Sequence, residues 1–211
     1  MRSATALVTA GLVGAALIGV APSAVGQGTT DASTHRVVVR PVDAAGHARP
    51  GWTVHRAKGL TVDCGGSAAA AVDDGIHACF PTAAYLPACW PSAHHTVLCL
   101  RDARVHRLVR VRYSGSLGAA EAPGRPSPQD LDLTGGQTCS LRVGGAWGTL
   151  PTHPNWLGFY SCTHGSVYGP ASGDGIVRTT RPWSVRIWKS GTRHHVVHRS
   201  VATAYLVGTH A

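Results

Sequence analysis

The stretch CSLRVGGAWGTLPTHPNWLGFYSC, residues 139–162, decides the fold class of the chain. Two short apolar runs flank a connection that is rich in glycine and proline, and a cysteine stands at each outer end. This pattern predicts two β-strands that fold back on one another and are joined by a disulfide. The stretch from Cys89 to Cys99 has the same design. A disulfide between its ends places the hairpin turn at His94 and sets Trp90 opposite Leu98.

The N-terminus has the pattern of an export signal. Arg2 precedes an uncharged apolar run over residues 4–21, and small residues that suit cleavage follow it. We therefore predict a signal peptide over residues 1–26, a disordered segment over residues 27–34, and a secreted or cell-envelope-associated mature protein. An uncleaved membrane anchor is the alternative, because the run is nearly long enough to span a bilayer. After cleavage, no membrane span is predicted.

The six cysteines all follow the predicted signal peptide. An even number of cysteines in an exported chain indicates disulfides rather than free thiols. Several pairings are open, and the order along the chain favours the local pairs Cys64–Cys79, Cys89–Cys99 and Cys139–Cys162. No Cys-x-x-Cys pair is present, so zinc ligation by cysteine is not predicted.

Strand patterns dominate the remainder of the 211-residue chain. They predict a first β half over residues 35–113 and a second over residues 131–211, which is either a separate domain or one domain with the first. Residues 114–130 have no apolar periodicity and are predicted to be a Pro/Gly-rich linker or loop. The predicted fold class is mainly β. It consists of antiparallel sheets of hairpins joined by three disulfides, with little helix outside the signal peptide.

A basic face is predicted on RVHRLVRVRY, residues 104–113, which alternates as a single strand would. Its predicted inner face is apolar and consists of Val105, Val109, Val111 and Tyr113. Its predicted outer face supplies candidate binding residues, namely Arg104, His106, Arg110 and Arg112. The formal net charge of +9 favours an anionic partner such as a glycan, a teichoic-type polymer, a lipid head group or nucleic acid, although no specific nucleic-acid motif is present. Plain solubility is the alternative explanation of the charge.

Six tryptophans stand against two phenylalanines in this chain. An exposed tryptophan can stack on a sugar, whereas a tryptophan beside a disulfide is usually part of a β core. We predict core positions for Trp90, Trp147 and Trp183. Trp188 shares a strand face with Ser184 and Arg186, so it is predicted to be accessible and is a further candidate binding residue.

No catalytic residue is predicted. A Gly-x-Ser-x-Gly elbow is absent, and Ser172-Gly173-Asp174-Gly175 lacks the serine position of a chymotrypsin-like nucleophile. Glycan hydrolysis needs two positioned carboxylates. The close acidic sets are Asp73-Asp74, which is predicted to be a turn, and Asp130-x-Asp132, which is predicted to be a solvated strand entrance.

Histidines are numerous, with thirteen in the chain, and three of them cluster in HHVVH, residues 194–198. On a helix, His194 and His198 would share a face and could bind zinc. On a strand they lie about 13 Å apart, which is too far for one ion. Because Val196 and Val197 favour a strand, we predict a basic solvated edge, with no metal and no other cofactor.

Several motifs resemble a known family. They are Cys64-Gly65, Cys79, Ala88-Cys89-Trp90, Val97-Leu98-Cys99-Leu100-Arg101-Asp102, Cys139-x-Leu141-Arg142-x-Gly144-Gly145-Ala146-Trp147-Gly148 and Tyr160-x-Cys162. Together, over residues 60–208, they resemble a group of exported actinobacterial proteins of unknown function. The resemblance implies an exported, disulfide-bonded domain and carries no catalytic residue.

These observations predict a monomeric, non-enzymatic binding or interaction domain with an anionic polymer or protein partner at the cell envelope. The alternative is a small secreted hydrolase with an unrecognised active site. A convergent cluster of Ser with His or Asp in a deep polar pocket would favour the hydrolase. A basic face without such a cluster would favour binding.

Overall fold

The computed structural model describes residues 33–80, 85–142, 150, 152–189 and 196–209, and this part of the chain contains strands and no helix. The mainly β fold class predicted from the sequence is confirmed. The strands are β1 His35–Val39, β2 Thr53–Ser67, β3 His77–Phe80, β4 Leu86–Ser92, β5 Thr96–Asp102, β6 Arg107–Tyr113, β7 Asp130–Leu133, β8 Thr138–Leu141, β9 Trp156–Cys162, β10 Gly165–Pro170, β11 Ile176–Val177, β12 Ser184–Trp188 and β13 Val196–Val207. The predicted signal peptide and most of residues 27–34 lie outside the described residues.

The first half closes into a five-stranded barrel, β2-β3-β4-β5-β6. Successive strands pair antiparallel, and the ring closes because the 15-residue β2 also pairs with β6 in parallel. Alternate residues of β4 and β5 serve two cores. One set, including Cys89, Val97 and Cys99, belongs to a cluster with Val62 of β2 and Val111 of β6. The other set, including Trp90 and Leu98, packs in a second cluster with Val39 of β1 and Val207 of β13.

Strand β1 of the first half joins the strands of the second half in an eight-stranded sheet, in the order β1-β13-β7-β8-β9-β10-β12-β11, and β12 also pairs with β13. The strands from β7 to β10 together with β12 and β13 therefore form a second ring. Its core contains Leu131, Tyr160, Val185 and Ile187, all nearly fully buried. Tyr160 donates its hydroxyl hydrogen to Pro128 O at 2.9 Å, which satisfies the one polar atom of this core side chain.

Strand β13 holds the second half together and reaches the first. Residues 196–200 pair with β12, residues 201–205 pair with β7, and residues 203–207 pair in parallel with β1. Gly208, just after this strand, accepts a hydrogen bond of 3.1 Å from Trp90 Nε1 of the first barrel. The apolar run VATAYLV, residues 201–207, thus has strand partners on both edges. Its burial is uneven, because Val201, Ala204, Leu206 and Val207 are buried whereas Ala202 is exposed.

All three predicted disulfides are confirmed. Cys64–Cys79 joins β2 to β3, Cys89–Cys99 joins β4 to β5, and Cys139–Cys162 joins β8 to β9. In the second and third pairs the cysteines are direct partners across neighbouring strands, and Trp90 stands opposite Leu98 as expected. Formed disulfides are consistent with an oxidising environment.

The segment 114–129 has no strand, and its backbone is tied to both halves. Ala120 O accepts from Gly75 N at 2.7 Å, and Ser127 N donates to Ala69 O at 2.8 Å. At its end, Gln129 N donates to Tyr205 O at 2.7 Å. This connection therefore follows a defined path, and residues 31–211 form one compact unit.

Candidate functional site

The predicted basic strand over residues 104–113 is wrong at its beginning, because β6 begins at Arg107. Residues 103–106 form a turn, in which His106 has a φ of 50°. Val105, predicted to be buried, is 55% exposed at this turn. The His106 ring stacks on Trp52 with 4.7 Å between the ring centroids. The four residues of the predicted outer face therefore do not form one stripe.

Arg104 is directed into the molecule, where it joins the turn after β5 to strand β7. Its Nε lies 2.6 Å from Asp132 Oδ1 and its Nη1 lies 3.2 Å from Asp130 Oδ1. Its Nη2 donates to the carbonyl oxygens of Leu131 and Cys139, at 3.0 Å and 3.3 Å. The predicted solvated entrance of β7 is therefore wrong, since Asp130 is only 4% exposed.

The charges of this cluster are fixed by burial and mutual contact. Burial raises the pKa of Asp130, against the opposing effects of the Ser140 hydrogen bond of 2.6 Å and of the Arg104 charge. Burial and a hydrogen bond to Asp132 raise the pKa of Tyr205 to about 12. Burial alone would lower the pKa of Arg104, but the two carboxylates outweigh it and the pKa is raised. Each group has its partner within the cluster, which makes the cluster a structural clamp.

Arg110 and Arg112 do share the outer face of β6, as predicted. The Arg110 guanidinium donates to Ser92 Oγ at 3.0 Å and to Thr96 Oγ1 at 3.3 Å, while Arg112 is exposed. Both line a cavity of about 490 Å³ between β2, β6 and the tip of the β4–β5 hairpin, which we call the basic cavity. Its lining residues are Arg56, Ala57, Lys58, Gly59, Leu60, Thr61, Ala93, His94, Thr96, Arg110, Val111 and Arg112.

The basic cavity exists because β2 bulges away from β6. Arg56 is opposite Arg110 and Thr61 is opposite Arg112, so residues 57–60 of β2 face a single residue of β6. Gly59 has a φ of 71°, which glycine adopts without strain, and this allows the chain to turn within the bulge. Ala57 and Leu60 pack toward the barrel core, whereas Lys58 is exposed on the cavity rim.

The charged side chains that line the basic cavity are all positive. Four of its lining residues are permanent cations, namely Arg56, Lys58, Arg110 and Arg112, and none is acidic. In the described parts of the chain, none of the four forms an ion pair. His94, exposed at the hairpin tip with a φ of 57°, adds an imidazole ring to the rim. Clustered cations without counter-charges repel one another, so an anion that enters the cavity relieves this repulsion.

Trp188 lies elsewhere, on β12 of the second half. It is half-buried and contacts Tyr168 edge-on, with 5.9 Å between the ring centroids. Trp188 does not line the basic cavity. The prediction of a core position is confirmed for Trp90, which is 3% exposed, while Trp183 is half-buried and Trp147 lies outside the described residues.

Sequence reasoning missed Arg56, Lys58 and His94. The Lys58-Gly59 dipeptide interrupts the strand pattern of β2, and this interruption is the one local signal of the bulge. The parallel pairing that brings β2 to β6 joins positions more than fifty residues apart, such as Thr53 and Arg107, and alternation within one strand carries no information about it.

One group of three close metal-ligating side chains occurs in the described residues, and it consists of Cys79, Cys89 and Cys99, whose sulfur atoms lie within 4.8 Å of one another. Each is bonded in a disulfide, so none offers a thiolate. His198 is in strand β13, as the two preceding valines predicted, while His194 and His195 lie outside the described residues.

Comparison with protein-family models, with curated proteins and with solved structures finds no match for this chain. A search of the described residues for helices with the length and hydropathy needed to cross a membrane finds none.

Proposed function

We propose that this protein is a secreted or cell-envelope-associated, non-enzymatic binding domain that holds a linear anionic polymer in the basic cavity. The observation that carries the proposal is the convergence of four cations from two strands on a cavity whose lining has no acid. Arginine side chains bind phosphate and carboxylate groups through paired N–H donors, and three of the four cations are arginine.

The shape of the basic cavity supports a polymer as the ligand. Arg56, Lys58 and Arg112 are exposed on its rim, so an extended chain can pass without having an end enclosed. The cations stand on barrel strands. Arg110 is already oriented by two hydroxyl groups, so little conformational freedom of this side chain is lost on binding. The disulfides and the resemblance to exported proteins support an extracytoplasmic location, where teichoic-type and other anionic polymers occur.

The test compares two double variants that change the net charge equally. Lys58→Glu/Arg112→Glu reverses two exposed cations of the basic cavity, and Arg101→Glu/Arg107→Glu reverses two exposed arginines of the same barrel that do not line it. The probe is a labelled linear polyphosphate, with polyglutamate as a carboxylate polymer for comparison. Each lost charge-assisted contact is worth about 1.5–3 kcal/mol, so the cavity variant should bind at least about tenfold more weakly than wild type.

Binding of the wild type should also weaken steeply as salt is added, because added ions screen exposed charges. Circular dichroism verifies that both variants are folded, as expected for exposed positions. If the two double variants lose affinity equally, the attraction is a property of net charge alone and the assignment to the basic cavity is wrong.

A further inference from the structure

The second half contains a cavity of about 490 Å³ that the proposed function does not use, and it shares no lining residue with the basic cavity. We call it the glycine-walled cavity. Its lining comes from the segment before β7, the end of β10, the turn before β11, and β12. The lining residues are Arg125, Ser127, Gly169, Pro170, Ser172, Gly173, Asp174, Gly175, Ile176, Val177 and Arg186.

One wall of this cavity is bare backbone. A Cβ at Gly169 would lie 2.8 Å from Gly175 Cα, and a Cβ at Gly175 would lie 2.8 Å from Val167 Cγ1, both too close for real atoms. Gly175 also has a φ of 77°, which side-chain-bearing residues rarely adopt. The close packing of Gly169 on Gly175 therefore requires glycine at both positions. Gly173 differs, because a Cβ there would meet nothing closer than Pro170 O at 3.7 Å, so its backbone faces open space.

Asp174 lines the same cavity, and its charge is already compensated. Arg178 Nη1 donates to Oδ1 at 2.9 Å, and Nη2 donates to Oδ2 at 2.6 Å. Ser127 Oγ donates to Oδ2 at 3.0 Å. Arg178 Nη2 also donates to Pro126 O at 3.1 Å, which fixes the segment that carries Arg125 at the cavity. The aspartate is therefore part of the frame rather than a free base.

Two other cations line the cavity without such a partner. In the described parts of the chain, neither Arg125 nor Arg186 forms an ion pair. The Arg186 guanidinium lies 5.1 Å from the centre of the Trp156 ring, and that ring also contacts His153, with 4.1 Å between the ring centroids. A cation–π contact orients Arg186 without using its N–H donors, so these donors stay available.

We propose that the glycine-walled cavity binds the carboxylate of a small monoanionic ligand. Arg186 and Arg125 hold the carboxylate, and the body of the ligand lies against the backbone of Gly173. A monoanion is favoured over a phosphate dianion because the Asp174 carboxylate lines the same cavity and lowers its net positive charge. The carboxylate belongs either to an acidic sugar or to the C-terminus of a peptide, and this site is independent of the basic cavity.

The experiment titrates the full chain with glucuronate, N-acetylalanine and inorganic phosphate, and follows binding by calorimetry and by tryptophan fluorescence. A ligand of this size should bind with a Kd of roughly 1 mM. Engagement of Arg186 should change the Trp156 emission. The carboxylate that binds more tightly identifies the source, and equal affinities mean that the carboxylate alone is recognised. No binding of either carboxylate by about 10 mM, or tighter binding of phosphate, overturns the proposal.

Two variants with matched controls locate the site. Arg186→Gln should weaken binding about tenfold, the loss of one charge-assisted hydrogen-bonded contact, while Arg36→Gln, which removes an arginine near a different tryptophan, should not. Gly173→Leu should fill the cavity, since a Cβ there meets nothing closer than Pro170 O at 3.7 Å. Gly118→Leu, in open space elsewhere, is its control. Unchanged carboxylate affinity in both Arg186→Gln and Gly173→Leu overturns the assignment, whatever happens at the basic cavity.

Discussion

Replacing Arg104 by glutamine should destabilise the whole compact unit, because it removes the cation that compensates Asp130 and Asp132. The Asp130 side chain is only 5% exposed, and it would keep a single hydrogen-bond donor, Ser140 Oγ at 2.6 Å. Breaking a buried ion pair from one side costs about 3–5 kcal/mol. The remaining Ser140 hydrogen bond and the partial exposure of Asp132 favour the lower end, about 3 kcal/mol. For a domain of this size this lowers Tm by roughly 6–12 °C.

The pH dependence of this loss has a defined sign. Burial raises the pKa of Asp130, and removal of Arg104 takes away an effect that lowers it, so the pKa in the folded variant rises further. A carboxyl group whose pKa is raised by folding costs stability at neutral pH. That cost disappears as the pH falls below its unfolded pKa of about 3.9. The stability gap between wild type and Arg104→Gln should therefore narrow in acid.

Urea unfolding followed by circular dichroism, at neutral pH and near pH 4, measures both effects. Arg101→Gln, at an exposed position two strand residues before the turn, is the control and should change the free energy of unfolding by less than about 0.5 kcal/mol. In the double variant Arg104→Gln/Asp130→Asn, part of the loss should be recovered. A single Arg104→Gln variant that unfolds like wild type, or a gap that widens in acid, would refute the clamp.

Two further effects are expected. His77 is buried in β3, and burial lowers its pKa below the usual value of 6.5, so a proton on His77 costs the folded state more than the unfolded chain. Below about pH 6.5 the unfolded chain therefore binds a proton at His77 more readily than the folded state, and the free energy of unfolding falls with the pH. Urea titrations of wild type should show this free energy falling from about pH 6.5 toward pH 5, and His77→Gln should reduce the fall. Gly165→Ala should destabilise far more than Gly59→Ala, although both glycines have positive φ, because only the Cβ at Gly165 would collide with the Trp188 backbone. Equal thermal shifts for the two alanine variants would contradict this.

The local sequence pattern was sufficient to predict most of the strands and all three disulfides. Cys89 to Cys99 and Cys139 to Cys162 are short enough that the alternation of apolar residues and the turn signals between them define both the hairpin and the cysteine pair. The apolar run Val201–Val207 likewise belongs to a strand that has partners on both edges. In these cases the residues that pair are close in the chain, or the apolar composition of a single strand indicates that it is largely buried.

Long-range pairing was beyond the reach of the sequence. The parallel pairings of β1 with β13 and of β2 with β6 have no signal in the local sequence, because they join strands that are distant in the chain. The basic cavity depends on the pairing of β2 with β6. Arg104 illustrates a different limit. In the sequence, Arg104 alternates with Arg110 and Arg112 as residues on one strand face do. The turn that contains His106 directs the Arg104 side chain away from that face. Its partners Asp130 and Asp132 lie almost thirty residues later in the chain.

The position of β13 governs when this protein can fold. It is synthesised after every other described strand, yet it supplies partners for β1, β7 and β12, and the residue after it accepts the Trp90 hydrogen bond. The pairing of His35 with Thr203 spans nearly the whole described chain, and such distant contacts slow folding because a long loop must close first. A nascent chain that stops short of Val196 leaves the second ring open, along with one wall of the core around Trp90. Folding to the complete structure is thus deferred until translation has passed β13.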